Sequence, residues 1–234
     1  MIDLHNIGNN SNWGILPYFN IFGIQISTYS FFVLLGLIIG LLVFWIIGRK
    51  DYEKSENSFY IIFFGILGGA LGAKIPIWIA YFDEIKQAGN IETILSGRTI
   101  TGGLIGGFIA VYITKKILKE KTRFGNAIAP GVAIGIAIGR IGCFLHGCCY
   151  GIPTKLPWGV DFGDGILRHP TQIYEIIYLS VLATILIKLQ KKELKPGILF
   201  DCFLIAYFSF RFFIEFIRVE PKVFFGFSLY QIAS

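Results

Sequence analysis

Charge is scarce in this sequence. Only 15% of its residues are Asp, Glu, Lys or Arg, against roughly 25% in a typical soluble domain. With 54% hydrophobic residues in 234 and a mean hydropathy of +0.66, the chain lacks the polar surface that a water-soluble fold needs. That excludes a soluble enzyme and points to the bilayer. The first twenty residues hold no basic stretch followed by an apolar core, so no cleavable signal peptide is expected and the first apolar run serves as the insertion signal. Internal repeats and low-complexity linkers are missing as well, which predicts one transmembrane domain over residues 1–234. So is the paired C-x-x-C spacing common to zinc sites and thiol oxidoreductases.

Glycine and phenylalanine are abundant, at 28 and 23 residues. Frequent glycine suits helices that approach closely in lipid. A helix needs about 20 apolar residues to span a bilayer. Five or six runs qualify, some only when their glycines are tolerated, at 24–47, 58–81, 99–113, 126–144, 173–187 and 197–217. The third and fifth are short and should extend into their polar flanks. A last apolar piece, 223–234, re-enters, lies at the interface or begins a seventh helix. The reading is an all-α, polytopic membrane protein of six to seven transmembrane helices with an outward-facing lipid-binding cavity.

The loops alternate in basic charge. Arg49, Lys50, Lys54, Lys115, Lys116, Lys119, Lys121, Arg123, Lys188, Lys191, Lys192 and Lys195 fall on one side. Lys86, Arg98, Lys155, Arg168, Arg218 and Lys222 fall on the other. The twelve-to-six bias puts the first set in the cytoplasm and the N-terminus outside. It also accounts for the net charge of +6 without a nucleic-acid partner.

Three basic residues remain inside the runs: Lys74, Arg140 and Arg211. Glu175, Asp201 and Glu215 lie in or at the ends of runs. A charge at the bilayer centre costs at least ~2.5–3.5 kcal/mol on insertion scales, so it faces a protein interior and has a use there. For Lys74 and Asp201, internal pairing or snorkelling is an equal reading. For the arginines, the surroundings favour function.

Arg140 sits in Gly139-Arg140-Ile141-Gly142-Cys143-Phe144-Leu145-His146-Gly147-Cys148-Cys149-Tyr150-Gly151. Gly142, Gly147 and Gly151 let the backbone turn and approach a bound group. A guanidinium offers a planar fork of donors suited to phosphate oxygens. The outward loop closes on His169-Pro170-Thr171-Gln172-Ile173-Tyr174-Glu175. Pro170 can initiate a helix, which places Glu175 about one turn inside the membrane, within reach of Arg140. Further on, Tyr207, Arg211, Glu215 and Arg218 are spaced four, four and three and so share one helix face. Both basic ends of that stripe ask for an anion. A glycine-rich turn from Ser96-Gly97-Arg98 through Gly102-Gly103 enters the third run, where helix packing explains it as well as anion binding does. Cys143, Cys148 and Cys149 lie together on the outer side and Cys202 lies in a run. Their C-x4-C-C spacing favours apolar fillers or a disulfide over metal, so no metal and no cofactor are expected.

Taken in order, these motifs resemble the prolipoprotein diacylglyceryl transferase family, and the resemblance runs through most of the chain. Ile24-Gln25-Ile26-Ser27-Thr28-Tyr29 resembles the family's entry to its first helix, and Gly102-Gly103-Leu104-Ile105-Gly106 its H-G-G-L-I-G turn. Gly139-Arg140-Ile141-Gly142 is similar to the start of G-R-x-G-N-F-x-N-G-E, and His169 to Glu175 to H-P-S-Q-L-Y-E. The Tyr207–Arg218 stripe resembles Y-x-x-x-R-x-x-x-E-x-x-R.

The resemblance implies a bacterial cytoplasmic-membrane enzyme with its active site toward the outer face. It implies transfer of the diacylglyceryl group of phosphatidylglycerol to the lipobox cysteine of a lipoprotein precursor, with release of glycerol phosphate. Arg140 and Arg211 would hold the phosphate, Glu175, Glu215 and Arg218 would support them, and Tyr29 and Tyr207 would offer hydroxyls. This chain departs from the pattern on the thiol side. Thr101 stands where the family has histidine, Cys143 and His146 where it has asparagines, and Cys148 where it has glutamate. His146 or His169 is then the expected base. Two other readings stand beside the enzyme: a membrane thiol-disulfide oxidoreductase using the clustered cysteines, and a lipid-binding or transport protein that has lost the chemistry.

Overall fold

In lipid every backbone polar group must be satisfied within the protein, which leaves apolar runs one economical choice, the α-helix. The computed structural model describes residues 13–21, 23–52, 56–80, 82, 86, 99–122, 124–192, 194–219, 222–224, 227–228 and 231. Among the described residues six helices form: α1 (Thr28–Tyr52), α2 (Ser58–Ala80), α3 (Ile100–Ile117), α4 (Gly125–His146), α5 (Thr171–Gln190) and α6 (Ile198–Ile214). The first five are long and apolar enough to cross a membrane. The sixth continues into a 3-10 turn, Glu215–Ile217. The all-α, membrane-spanning class is therefore what the structure shows. As expected, α3 and α5 run on into polar flanks, taking in Lys115, Lys116 and Lys188.

The entry to the first span differs from the sequence expectation. A helix from residue 24 was predicted, but Ile24–Ser27 is strand β2, paired antiparallel with β1 (Tyr18–Ile21). Alternating Ile-Gln-Ile-Ser suits a strand, and Gly23 at φ +81° makes the turn. Thr28 then starts α1, its hydroxyl donating to the Leu16 carbonyl at 2.5 Å. Short hairpins also occur at β3 (Val160–Asp161) with β4 (Leu167–Arg168) and at β5 (Lys222–Phe224) with β6 (Phe227–Ser228). The last replaces helix in the front part of the 223–234 piece. Lys54, Ser96, Gly97, Arg98, Leu229 and Tyr230 lie outside the described residues.

The helices group into two compact units. In one, α2 packs on α3 through glycine faces. A Cβ on Gly106 would come within 2.7 Å of the Gly72 Cα, and one on Gly72 within 2.7 Å of the Gly106 Cα. Thr99 joins the pair, its backbone N–H donating to the Ala73 carbonyl at 2.9 Å. Lys74 is buried in this unit.

The other unit holds α1, α4, α5 and α6. Here α1 and α4 repeat the same device: a Cβ on Gly40 would stand 2.7 Å from the Gly131 carbonyl oxygen, and one on Gly131 would stand 2.6 Å from that of Gly40. Small-xxx-small spacing on both helices lets the backbones touch. Helix α4 also bears on α5 and α6. Asn126 near its start caps α6, accepting from Gly197 N at 2.9 Å and Leu199 N at 3.1 Å. That satisfies amides that a helix N-terminus otherwise leaves open. Helices α5 and α6 meet where the Tyr178 hydroxyl donates to the Ala206 carbonyl and its ring stacks on Phe210 at 4.2 Å. Outward on α1, Leu34, Leu37, Ile38, Leu42 and Trp45 are exposed, as a lipid-facing surface requires. Asp201 and Cys202 are exposed on α6, so the Asp201 carboxylate in the first turn favours the helix dipole.

Gly131→Val should force α1 from α4 and lower stability by about 1–3 kcal/mol. Gly139→Ala meets only a Val33 methyl at 3.9 Å and should be neutral or stabilising. Thermal unfolding of the two variants in detergent checks this; equal midpoints would contradict it.

Candidate active site

The four-helix unit brings its charged side chains to one place. Arg140, six residues from the end of α4, forms an ion pair with Glu175, its Nε 2.8 Å from Oε2. Glu175 lies in the second turn of α5. From α6, the Tyr207 hydroxyl donates to Glu175 Oε1 at 3.3 Å, and Arg211 approaches Glu175 Oε2 at 3.9 Å. Arg211 Nη2 donates to Glu215 Oε2 at 2.9 Å, and Arg218 Nε lies 3.9 Å from the same oxygen. The predicted stripe on α6 thus faces inward as expected, and it meets the two motifs from the loop between α4 and α5. All five charged residues are buried. Among the described residues the cluster holds three guanidiniums and two carboxylates. Guanidiniums in a dry interior suit an anion.

The turn after α4 lies beside this cluster. Gly147 ends the helix at φ +78°, the left-handed conformation that glycine adopts without strain. Arg140 Nη1 donates to Cys143 Sγ at 3.8 Å. The sulfurs of Cys143, Cys148 and Cys149 all lie within 4.8 Å of one another. Two side chains from the first turn of α5 hold this arrangement. Thr171 donates to the Cys149 carbonyl at 2.6 Å and Gln172 to the Cys148 carbonyl at 2.5 Å. Cys149 itself sits at φ +64°, a region uncommon for a residue with a Cβ. Hydrogen bonds from the Cys143 and Cys148 thiols, then the Arg218 and Arg140 guanidiniums, hold the Cys149 thiol well below its ordinary range. The Cys148 thiol is pushed up by its thiol neighbours and by burial.

Around the turn is an aromatic cap. Tyr150 stacks on Phe162 at 5.5 Å and tilts against Trp13 at 5.7 Å. Trp13 donates to the Gly147 carbonyl at 3.0 Å. Arg168 lies 5.0 Å over the Tyr150 ring and forks onto both Asp164 oxygens at 2.5 Å. That fork holds the Asp164 carboxyl below its usual range. Gly151 pairs with His169 and with the end of α6; a Cβ there would lie 2.5 Å from the Ile217 carbonyl.

The other predicted site residues fall as follows. Tyr29 lies near the top of α1, its ring 6.2 Å from that of His146. His146 Nδ1 is 3.3 Å from the Pro17 carbonyl. His169 Nδ1 is 3.1 Å from the Tyr174 hydroxyl, which accepts from Trp158 at 2.8 Å. Gly142 abuts α1, where a Cβ would meet that of Phe32 at 2.8 Å. Thr101, Gly102 and Gly103 belong to the α2–α3 unit, where Gly103 faces Ala73 and Gly69. Thr171 and Gln172 were not singled out from sequence as site residues. Polar side chains in the first turn of a span, straight after Pro170, were the available signal.

A membrane-spanning bundle with a buried arginine cluster beside a thiol-lined turn defines the class of polytopic membrane protein. Comparison with known proteins gives the family. The prolipoprotein diacylglyceryl transferase family model matches residues 17–234. A phosphatidylglycerol–prolipoprotein diacylglyceryl transferase of Clostridium tetani is 35% identical over 212 residues, 87% of this chain and 85% of the relative. A second, from Clostridium perfringens, is 30% identical over 86% of this chain and 82% of its own length. A third, from Pseudoalteromonas atlantica, is 33% identical over 76% and 67%. The chain belongs to the prolipoprotein diacylglyceryl transferase family and is a transferase by that membership.

Glu175 is the joint of the cluster. Glu175→Ala leaves Arg140 and Arg211 facing each other without it and should cost about 3–5 kcal/mol, the range for breaking a buried pair. Unfolding in graded SDS measures it; a loss under 1 kcal/mol, the value of a surface pair, would show that the cluster is solvated.

Proposed function

We propose that this protein transfers the diacylglyceryl group of phosphatidylglycerol to the lipobox cysteine of a lipoprotein precursor. Family membership supports the reaction. The observation that carries it to these residues is the burial of Arg140, Arg211 and Arg218 together with Glu175 and Glu215 beside the cysteine turn. A phosphate diester is the anion whose oxygens a guanidinium fork matches.

The acceptor attacks as thiolate, since the thiol itself is a poor nucleophile. Its sulfur bonds to the glyceryl carbon that carries the phosphate ester. The carbon–oxygen bond breaks, and its electron pair leaves on glycerol phosphate. Arg140 and Arg211 stabilise the charge gathering on that leaving group. Glu175, Glu215 and Arg218 hold the two guanidiniums in place, Tyr207 through its bond to Glu175. Tyr29 offers a hydroxyl, and Gly142, Gly147 and Gly151 shape the backbone around the substrates. The lipid enters a cavity that opens outward, with the N-terminus outside and the basic loops in the cytoplasm. The setting is the bacterial inner membrane.

A second reading keeps the lipid donor and changes the acceptor. The thiol-side departures at Thr101, Cys143 and Cys148 favour it. If the acceptor is unchanged, His146 and His169 are the candidate bases.

Purified protein with labelled phosphatidylglycerol and a lipobox peptide tests both readings. Arg140→Lys keeps the charge but loses the fork; peptide lipidation should fall about 10²–10³-fold, the usual effect of removing one transition-state donor. Arg140-dependent lipid consumption without peptide modification would mean the changed acceptor. No consumption by folded protein would overturn the proposal. His146→Ala and His169→Ala, run alongside, should each slow transfer if that residue is the base; full activity in both excludes the histidines.

A further inference from the structure

The turn after α4 gathers the sulfurs of Cys143, Cys148 and Cys149 beside the arginine cluster. Filler cysteines need no special backbone. These are held with care: Thr171 and Gln172 anchor the carbonyls of Cys149 and Cys148, and Cys149 is kept at φ +64°. Strain retained by its surroundings is a mark of a functional site.

The sulfur spacing suits one occupant. With metal–sulfur bonds of about 2.3 Å, three thiolates on one ion stand roughly 3.8–4.0 Å apart. The three sulfurs here lie within 4.8 Å of one another before any ion draws them in. Three soft ligands select zinc-class ions over magnesium or calcium. The charge also fits: three thiolates on a divalent ion carry one net negative charge, and Arg140 donates directly to Cys143.

We propose that Cys143, Cys148 and Cys149 hold a zinc-class divalent cation with its fourth position open, and that the acceptor thiol binds there as thiolate. This rests on the transfer reading and deepens it. Three protein ligands with an open fourth position are the pattern of catalytic zinc. A thiol that joins such an ion is deprotonated outright, so no histidine base is required. The proton goes to solvent when the thiol binds. The sulfur then leaves the ion as it bonds to the glyceryl carbon, and glycerol phosphate departs with the electron pair of the broken carbon–oxygen bond. The same ion aligns nucleophile and lipid, with the arginine cluster beside it.

Cobalt(II) is the optical probe for the purified protein in detergent. One equivalent per chain should give thiolate-to-metal charge-transfer absorption and the strong visible bands of tetrahedral coordination. Cys143→Ser, Cys148→Ser and Cys149→Ser should each lose the charge-transfer band, while Cys202→Ser, altered on the exposed face of α6, keeps it. X-ray absorption on the wild-type zinc form counts sulfur neighbours directly and does not depend on the variants folding. A lipobox peptide should raise the charge-transfer intensity, and the peptide with serine in place of cysteine should not. Chelation should stop peptide lipidation, with return on adding zinc, while phosphatidylglycerol binding persists. Failure to bind either ion stoichiometrically, or undiminished lipidation by metal-free protein, overturns the proposal. Cobalt spectra that respond to the peptide in protein that never lipidates it would support the site and overturn the transfer reading instead.

Discussion

A buried charge in a membrane protein must find its opposite, and here the requirement is met at Glu175. Its carboxylate binds the guanidinium of α4 at 2.8 Å, accepts the tyrosine hydroxyl of α6 and faces the arginine of α6. Three helices therefore share one ionic joint. Their register is set by it, because a shift of one residue on any of them turns a charge toward lipid at a cost of at least ~2.5–3.5 kcal/mol. The glycine contacts between α1 and α4 then have a fixed partner to close against. Replacing such a joint with apolar side chains would often be neutral or stabilising, so stability alone does not account for it.

Much of this was legible in the sequence because it depends on spacing along one helix. Tyr207, Arg211, Glu215 and Arg218 share a face by arithmetic alone, and a polar face in a phenylalanine-rich helix has nowhere to go but inward. Arg140 and Glu175 were legible for a related reason: a charge within an apolar run is conspicuous. The six helices were readable from run length, and so were the extended ends of α3 and α5. The start of α1 was not. Ile24-Gln25-Ile26-Ser27 is apolar enough to pass for helix, and only its two-residue alternation beside Gly23 betrays the hairpin.

Contacts between distant segments were the least readable. The cysteines looked like fillers because their spacing along the chain matches no common metal motif. What brings their sulfurs together is a helix end at Gly147, a left-handed residue at position 149 and two side chains arriving from α5. None of these is encoded within the cysteine motif itself. Likewise the His169–Glu175 run announced itself by likeness to a family, but the work of Thr171 and Gln172 is visible only in three dimensions. They tie the helix carrying Glu175 to the turn carrying the thiols, so the ionic joint and the sulfur cluster are directly linked.

That linkage bears on how a diacylglyceryl transferase serves two substrates. Holding a phosphate and activating a thiol are separable tasks, one needing positive charge and the other needing a way to remove a proton. Here the guanidiniums and the three clustered sulfurs lie side by side in one helical unit. A general base works only if its own pKa lies near the operating pH, which makes it sensitive to burial. Coordination would avoid that sensitivity, because an ion would stabilise the thiolate directly, with Arg140 beside Cys143 to balance its charge. In a dry site crowded with guanidiniums, where a carboxylate is drawn into ion pairs, coordinated sulfur would be the more dependable way to present an anion next to a phosphate.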